Sequence, residues 1–189
     1  MTLQALFEDF TVDVEVQIDA PPVAVWGLIT DVARIGDFSP ECVHAEWLDG
    51  ATGPAVGARF AGTNRRMLPR EFTASDESAD TIAEWTRPCT VIACEQPLVF
   101  AYVVGDRFDE SPASEWTFDV VPEGNGSRLR QRFRHLPEGR TGTRLQADSQ
   151  PERAAEIVAW RAADLRKGML ETLDRMRLAL ESRERQSRK

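Results

Sequence analysis

The sequence predicts an α+β protein in which a curved antiparallel sheet of about six or seven strands wraps around one long C-terminal helix, with two short helices after the first strand. Three observations carry this. Residues 158–181, VAWRAADLRKGMLETLDRMRLALE, hold a long apolar stripe, and no other stretch is long enough to be an equal helical partner. Residues 42–135 alternate polar and apolar side chains at the period of half-buried strands, interrupted by turn signals. Those strands follow one another without intervening helical segments, so hairpins join them.

The pattern opens at TVDVEVQIDAPP. Val12, Val14, Val16 and Ile18 point one way, and Asp13, Glu15, Gln17 and Asp19 the other. Pro21 and Pro22 stop this strand, and proline suits the first turn of a helix. PVAVWGLI is then a short helix carrying Val25, Trp26 and Ile29. TDVARIGDF is a second one, capped by Thr30 or Asp31 and leaving at Gly36. CVHAEWLDG sets Val43, Ala45 and Trp47 against His44 and Glu46, and GARFAGTN is the next strand. Residues 65–81, RRMLPREFTASDESADT, break the alternation and read as a long loop. IAEWTRPCTVIACEQP and LVFAYVVG are two strands joined at Glu95, Gln96 and Pro97. Cys89 and Cys94 are five apart, so on one strand they point to opposite faces.

ASEWTFDVVPEGNGSRLRQRFRHL is a hairpin whose turn contains Asn125-Gly126. Residues 137–150 are a linker to the long helix, where Ala154, Val158, Ala162, Leu165, Met169, Leu173, Met176 and Leu180 recur at three- and four-residue spacing. The stripe is roughly 40 Å long at ~1.5 Å per residue. A coiled coil is the weaker explanation, because the seam contains Ala and Met over only about four heptads. The helix lies across the sheet or binds another copy of the chain, so a homodimer stays open. A twisted sheet touches a straight helix along only part of its length, which leaves a pocket between them.

Bulk properties narrow the function. The 189 residues suit one domain, divided as an extension (1–9), a domain proper (10–181) and a basic polar tail (182–189) expected to fray. The formal net charge of -8 disfavours nucleic acid and anionic membrane surfaces as partners. The longest apolar run, LVFAYVV, is too short to insert in a bilayer. Three cysteines without paired spacing, and an acidic N-terminus without a basic n-region, suit reduced thiols in the cytoplasm. No metal site and no cofactor motif is found: GxSxG, HExxH and the P-loop are all missing.

The order of elements, together with VEVQIDAPPVAVWGLITDVARIGDFSPE, EWLDG, GPAVGARFAGTNRR, EWTRPCTVIACEQPLVFAYVVG, EWTFDV and LRKGMLETLDRM, resembles the START-like or SRPBCC superfamily. Within it the chain is similar to the polyketide cyclase/dehydrase and lipid-transport branch over residues 10–180. The resemblance implies a helix-grip fold and a cavity for lipids, polyketides or other apolar molecules. It implies no single reaction and no fixed catalytic motif. The stretch 67–82 is longer than the branch's pattern and reads as a flap near the cavity mouth.

The hairpin is the most informative place for a site. A two-residue turn at Asn125-Gly126 sets Trp116 opposite His135, Phe118 opposite Phe133 and Val120 opposite Gln131, all on the inner face. Arg130, Arg132 and Arg134 then form a solvated outer row answered by Glu115 and Asp119. Gln131 and His135 either satisfy neighbours at the end of the core or hold a ligand's polar end. Further candidates for the cavity wall are Trp85 and Tyr102 on strands, with Trp160, Arg161, Leu165 and Met169 on the helix; Trp26 and Trp47 read as core and His44 as surface. Three functions follow. The first is binding or transport of a small hydrophobic ligand. The second is a cyclase or dehydrase with His135 as acid or base, helped by Tyr102 or Glu84. The third is an interaction or regulatory module acting through the 65–81 loop and the tail.

Overall fold

The computed structural model describes residues 2–68 and 81–187. Seven strands form one antiparallel sheet: β1 (Thr11–Ile18), β2 (Cys42–Trp47), β3 (Arg59–Leu68), β4 (Thr81–Glu95), β5 (Val99–Gly105), β6 (Pro112–Glu123) and β7 (Gly126–His135). Their spatial order is β1-β7-β6-β5-β4-β3-β2, so every neighbour except β1·β7 is also a sequence neighbour. The helices are α1 (Leu3–Glu8), α2 (Pro22–Ile29), α3 (Ile35–Phe38), α4 (Gly142–Ser149) and α5 (Ala154–Ser187).

The predicted stripe of α5 is the buried face. Leu165, Met169, Leu173, Met176 and Leu180 are all buried, and Leu173 is wholly enclosed. The helix packs chiefly along the edge strand β1, whose alternation buries Val12, Val14 and Ile18. Arg166 Nη1 donates to the Asp13 carbonyl at 2.9 Å and ties the two elements together. Fully burying one such Leu or Met stabilises by about 1.5–3 kcal/mol, so the C-terminal half of α5 is firmly anchored. α2 touches β6 and β7, while α3 touches β2 and α5, so the two short helices plug the sheet.

Several local expectations are corrected. The hairpin turns at Gly124-Asn125, with Glu123 opposite Gly126. Gly124 has φ 58° and Asn125 has no positive φ, the pattern of a type II′ turn rather than the Asn-Gly type I′. The register therefore moves by two: Trp116 faces Phe133, Phe118 faces Gln131, Val120 faces Leu129 and Ser114 faces His135. A shift of two keeps every side chain on its predicted face. Gly126 is needed for another reason: a Cβ there would lie 2.4 Å from the Ile18 carbonyl oxygen. Gly36 likewise lies inside α3 and does not end it; its missing Cβ admits the Val43 carbonyl, 2.3 Å from where that atom would be.

Two irregularities invert face parity. A shift of register between Cys42 and His44 turns Val43 outward, 38% exposed, and brings Cys42 inward. Another between Val91 and Ala93 places Cys89 opposite Val104 and Cys94 opposite Phe100, so both thiols join the inner face. The 65–81 loop is also revised. Residues 65–68 extend β3 and residue 81 begins β4, while 69–80, with most of the expected flap, lie outside the described residues. The linker contains α4, capped by the Thr141 side chain, which accepts from Arg144 N. The tail does not begin as a frayed end, because α5 continues through Ser187.

Candidate functional site

The N-terminal half of α5 stands off from the sheet. Its C-terminal half is fixed to β1, and α4 packs against it near its start. The space between helix and sheet is a partly open cavity of about 660 Å³. Leu165, Met169 and Thr172 of α5 form one wall, and the inner faces of β3 to β7 form the other. Small residues at Gly62, Cys89, Ser114 and Gly168 line it and keep the space open.

The apolar part of the wall is aromatic. Tyr102 packs edge-on to Phe60 at 5.0 Å, Trp116 packs edge-on to Phe133 at 5.2 Å, and Phe118, two residues along β6 from Trp116, is buried opposite Phe100. Edge-to-face rings of this kind fix one another's rotamers. Tyr102 is a partly exposed residue whose hydroxyl makes no hydrogen bond among the described residues. Burial holds its phenol protonated well above the ordinary range. Cys42 and Cys89 also line the space. Burial pushes the Cys42 thiol up to about 11 and the Cys89 thiol upward as well, so neither offers a thiolate near neutrality.

Gln131 is 5% exposed, and its Oε1 is buried without a hydrogen-bond partner among the described residues. It lines the cavity beside Phe118, directly opposite it in the register. An orphan amide costs about 1–3 kcal/mol in such a place, so a ligand donor reaching it would recover part of that.

A charged cluster marks one region of the wall. Arg161 donates to both carboxylate oxygens of Glu41, at 2.7 and 2.8 Å, and to Asp164 at 2.6 Å. Burial opposes ionisation of Glu41, yet the Arg161 guanidinium keeps its carboxyl below the usual range. The pair joins α5 to the segment between α3 and β2. Arg66 of β3 stands beside it between Trp85 and Trp160, 5.5 and 5.4 Å from the ring centroids.

The expected site residues thus divide. Trp85, Tyr102, Trp116, Phe118, Gln131 and Phe133 reach the cavity from the sheet, and Arg161, Leu165 and Met169 reach it from α5. His135 does not line it. Its ring is enclosed by Phe7 at 4.6 Å and Phe10 at 6.0 Å, with Nε2 3.0 Å from Thr141 Oγ1. Burial pushes its pKa down to about 4. Glu84 lies at the rim on the outer side of β4, exposed and paired with Arg65 at 2.7 Å. The residues not anticipated are Glu41, Arg66 and Asn64. Asn64 and Arg66 lie two apart on β3 in one alternating series with Phe60 and Gly62, a signal interrupted by reading 65–81 as loop. Among the described residues no three His, Cys, Asp or Glu side chains are grouped to hold a metal ion. No described helix is long and apolar enough to cross a membrane.

A profile of the polyketide cyclase/dehydrase and lipid transport family matches residues 9–181. The chain belongs to that family. Solved structures agree with its helix-grip architecture. A polyketide-cyclase-like protein of Corynebacterium glutamicum is 27% identical, with a TM-score of 0.60 and 91% of each chain covered. A protein of Bacillus halodurans is 16% identical, with a TM-score of 0.55 over 90% of this chain and 96% of that one. A protein of Thermus thermophilus is 16% identical, with a TM-score of 0.54 over 89% and 98%. No curated protein is detectably similar in sequence.

Proposed function

We propose that this family member binds a small hydrophobic ligand, lipid or polyketide-like, in the cavity between α5 and the sheet. The observation that supports the reading is the cavity itself: about 660 Å³, walled by aromatic and aliphatic side chains, with a few polar groups at fixed positions. Sites of this size hold drug-sized molecules, and burial supplies most of the affinity at ~25 cal/mol per Å². Native mass spectrometry of freshly purified protein tests it. A co-purifying apolar mass, released by denaturation, is the expected result. An empty protein that also fails to take up 1-anilinonaphthalene-8-sulfonate overturns it.

A catalytic reading of the same cavity is favoured by one observation, a Tyr102 in the cavity wall whose hydroxyl has no hydrogen-bond partner among the described residues. A phenol held protonated there donates a hydrogen bond to a developing enolate oxygen. Turnover of a poly-β-keto substrate by wild type and Tyr102→Phe decides it. Equal rates remove Tyr102 from the chemistry. His135, enclosed behind Phe7 and Phe10, is expected to leave the rate unchanged when replaced.

A further inference from the structure

Among the described residues five arginines reach the cavity wall. Four of them are committed elsewhere or exposed. Arg161 bonds Glu41 and Asp164. Arg140 pairs with Asp106 and Asp109. Arg87 donates to the Thr86 carbonyl at 2.7 Å. Arg107 is exposed and lies over Phe108 at 4.8 Å.

Arg66 is different. Its guanidinium is held by two indole faces, Trp85 from β4 and Trp160 from α5. Its nearest carboxylate among the described residues, Asp164, is 3.8 Å from Nη1, too far for a hydrogen bond, and already accepts from Arg161 at 2.6 Å. Its Nε is buried with no hydrogen-bond partner among the described residues. With its charge over two rings and its Nε unpartnered, the guanidinium has N–H groups that no described residue uses, where the two oxygens of one oxyanion fit. Burial and the adjacent Arg161 disfavour the Arg66 charge, and Glu41 and Asp164 offset this only in part; a bound anion adds to that offset. Asp164 is 35% exposed, so solvent weakens its repulsion of that anion.

The geometry points to Arg66, between Trp85 and Trp160, as the seat of the oxyanion head, carboxylate or phosphate monoester, of an amphipathic cavity ligand. This rests on the cavity-binding reading above. The apolar body of the ligand lies along Leu165, Met169, Tyr102 and Phe118, all of which line the same space. The two indoles attract the cation to their faces and order it. Trp160 comes from α5 and Trp85 from β4, so the head site also joins helix to sheet where α5 stands off.

Calorimetric titration with dodecanoate, dodecyl phosphate and dodecanol tests the assignment on wild type, Arg66→Met and Arg66→Lys. Wild type is expected to prefer at least one anion over dodecanol by about tenfold or more, equivalent to ~1.4 kcal/mol. Arg66→Met keeps the dodecanol affinity, which shows an intact cavity, and binds the anions no better than the alcohol. Arg66→Lys retains the charge without the planar fork and keeps only part of the preference. Which anion binds more tightly identifies the head class. If wild type binds all three alike, or Arg66→Met keeps the preference, the head site is overturned while cavity binding stands. If wild type binds none, the cavity reading falls and takes the head site with it.

Discussion

His135 Nε2 stands 3.0 Å from the Thr141 hydroxyl, the same hydroxyl that caps α4 by accepting from Arg144 N at 3.2 Å. The imidazole is 1% exposed, and its Nδ1 is buried without a partner. The folded protein therefore holds it neutral, with a pKa of about 4 against an ordinary 6.5. The unfolded chain binds the proton more readily, so stability rises with pH across this interval. It is fully present above about 6.5 and is lost as pH falls toward 4, by roughly 3 kcal/mol over the whole window. Carboxylate contributions are lost mainly below about 4.5. Urea denaturation at several pH values checks this. His135→Gln is expected to flatten the dependence between pH 6.5 and 4.5; an unchanged slope would assign it elsewhere.

Glu41 and Arg161 form the one bidentate pair between α5 and the α3–β2 segment among the described residues. Removing the acid leaves a largely buried guanidinium with only Asp164. Glu41→Ala is expected to cost about 2 kcal/mol, below the 3–5 of a fully orphaned buried charge because Asp164 remains. Arg161→Met with Glu41→Ala should cost less than the two single changes added together. Chemical denaturation of the cycle measures the coupling, and strict additivity would show that the pair contributes nothing joint.

The fold was legible because period alone decides it: an α5 stripe eight positions long and the alternation in β1 both survive into the structure with the same faces buried. What was not legible depends on single-residue insertions and on contacts remote in sequence. The irregularity at Cys42–His44 turns Val43 outward, and the one at Val91–Ala93 brings Cys89 and Cys94 to one face; neither leaves a turn residue to announce it. α1 and α4 were missed because they are only 6 and 8 residues long, and tertiary contacts rather than propensity hold them. His135 shares its face with cavity residues, as predicted, but α1 lays Phe7 over it. Arg66 stayed hidden because its meaning lies in Trp85 and Trp160, 19 and 94 residues away in the chain.

Tyr102 offers a contrast between stability and binding. Its hydroxyl has no hydrogen-bond partner among the described residues, so Tyr102→Phe strands no donor or acceptor. The melting temperature is expected to stay within the range of a change below about 0.5 kcal/mol. A carbonyl-bearing cavity ligand loses a hydrogen bond worth about 1 kcal/mol, roughly fivefold in affinity. Thermal melts and titration with a long-chain ketone read the two effects separately, and a large loss of stability would mean that the hydroxyl is structurally engaged.

Met169 and Leu173 lie one turn apart on the same stripe of α5, yet they face different surroundings. Leu173 is wholly enclosed and does not line the cavity, so Leu173→Ala creates a void in packed core and should cost about 2–5 kcal/mol. Met169 borders empty space, so a larger side chain has somewhere to go. Met169→Trp is expected to fold with a stability change below about 1.5 kcal/mol, because its added volume enters the cavity instead of straining the core. The same change removes the space and contact area a ligand needs, so dodecanol binding should fall at least about tenfold. Denaturation and calorimetry on the two variants make the comparison. A Met169→Trp protein that unfolds as badly as Leu173→Ala, or that binds dodecanol as wild type does, would contradict an open cavity beneath this half of the helix.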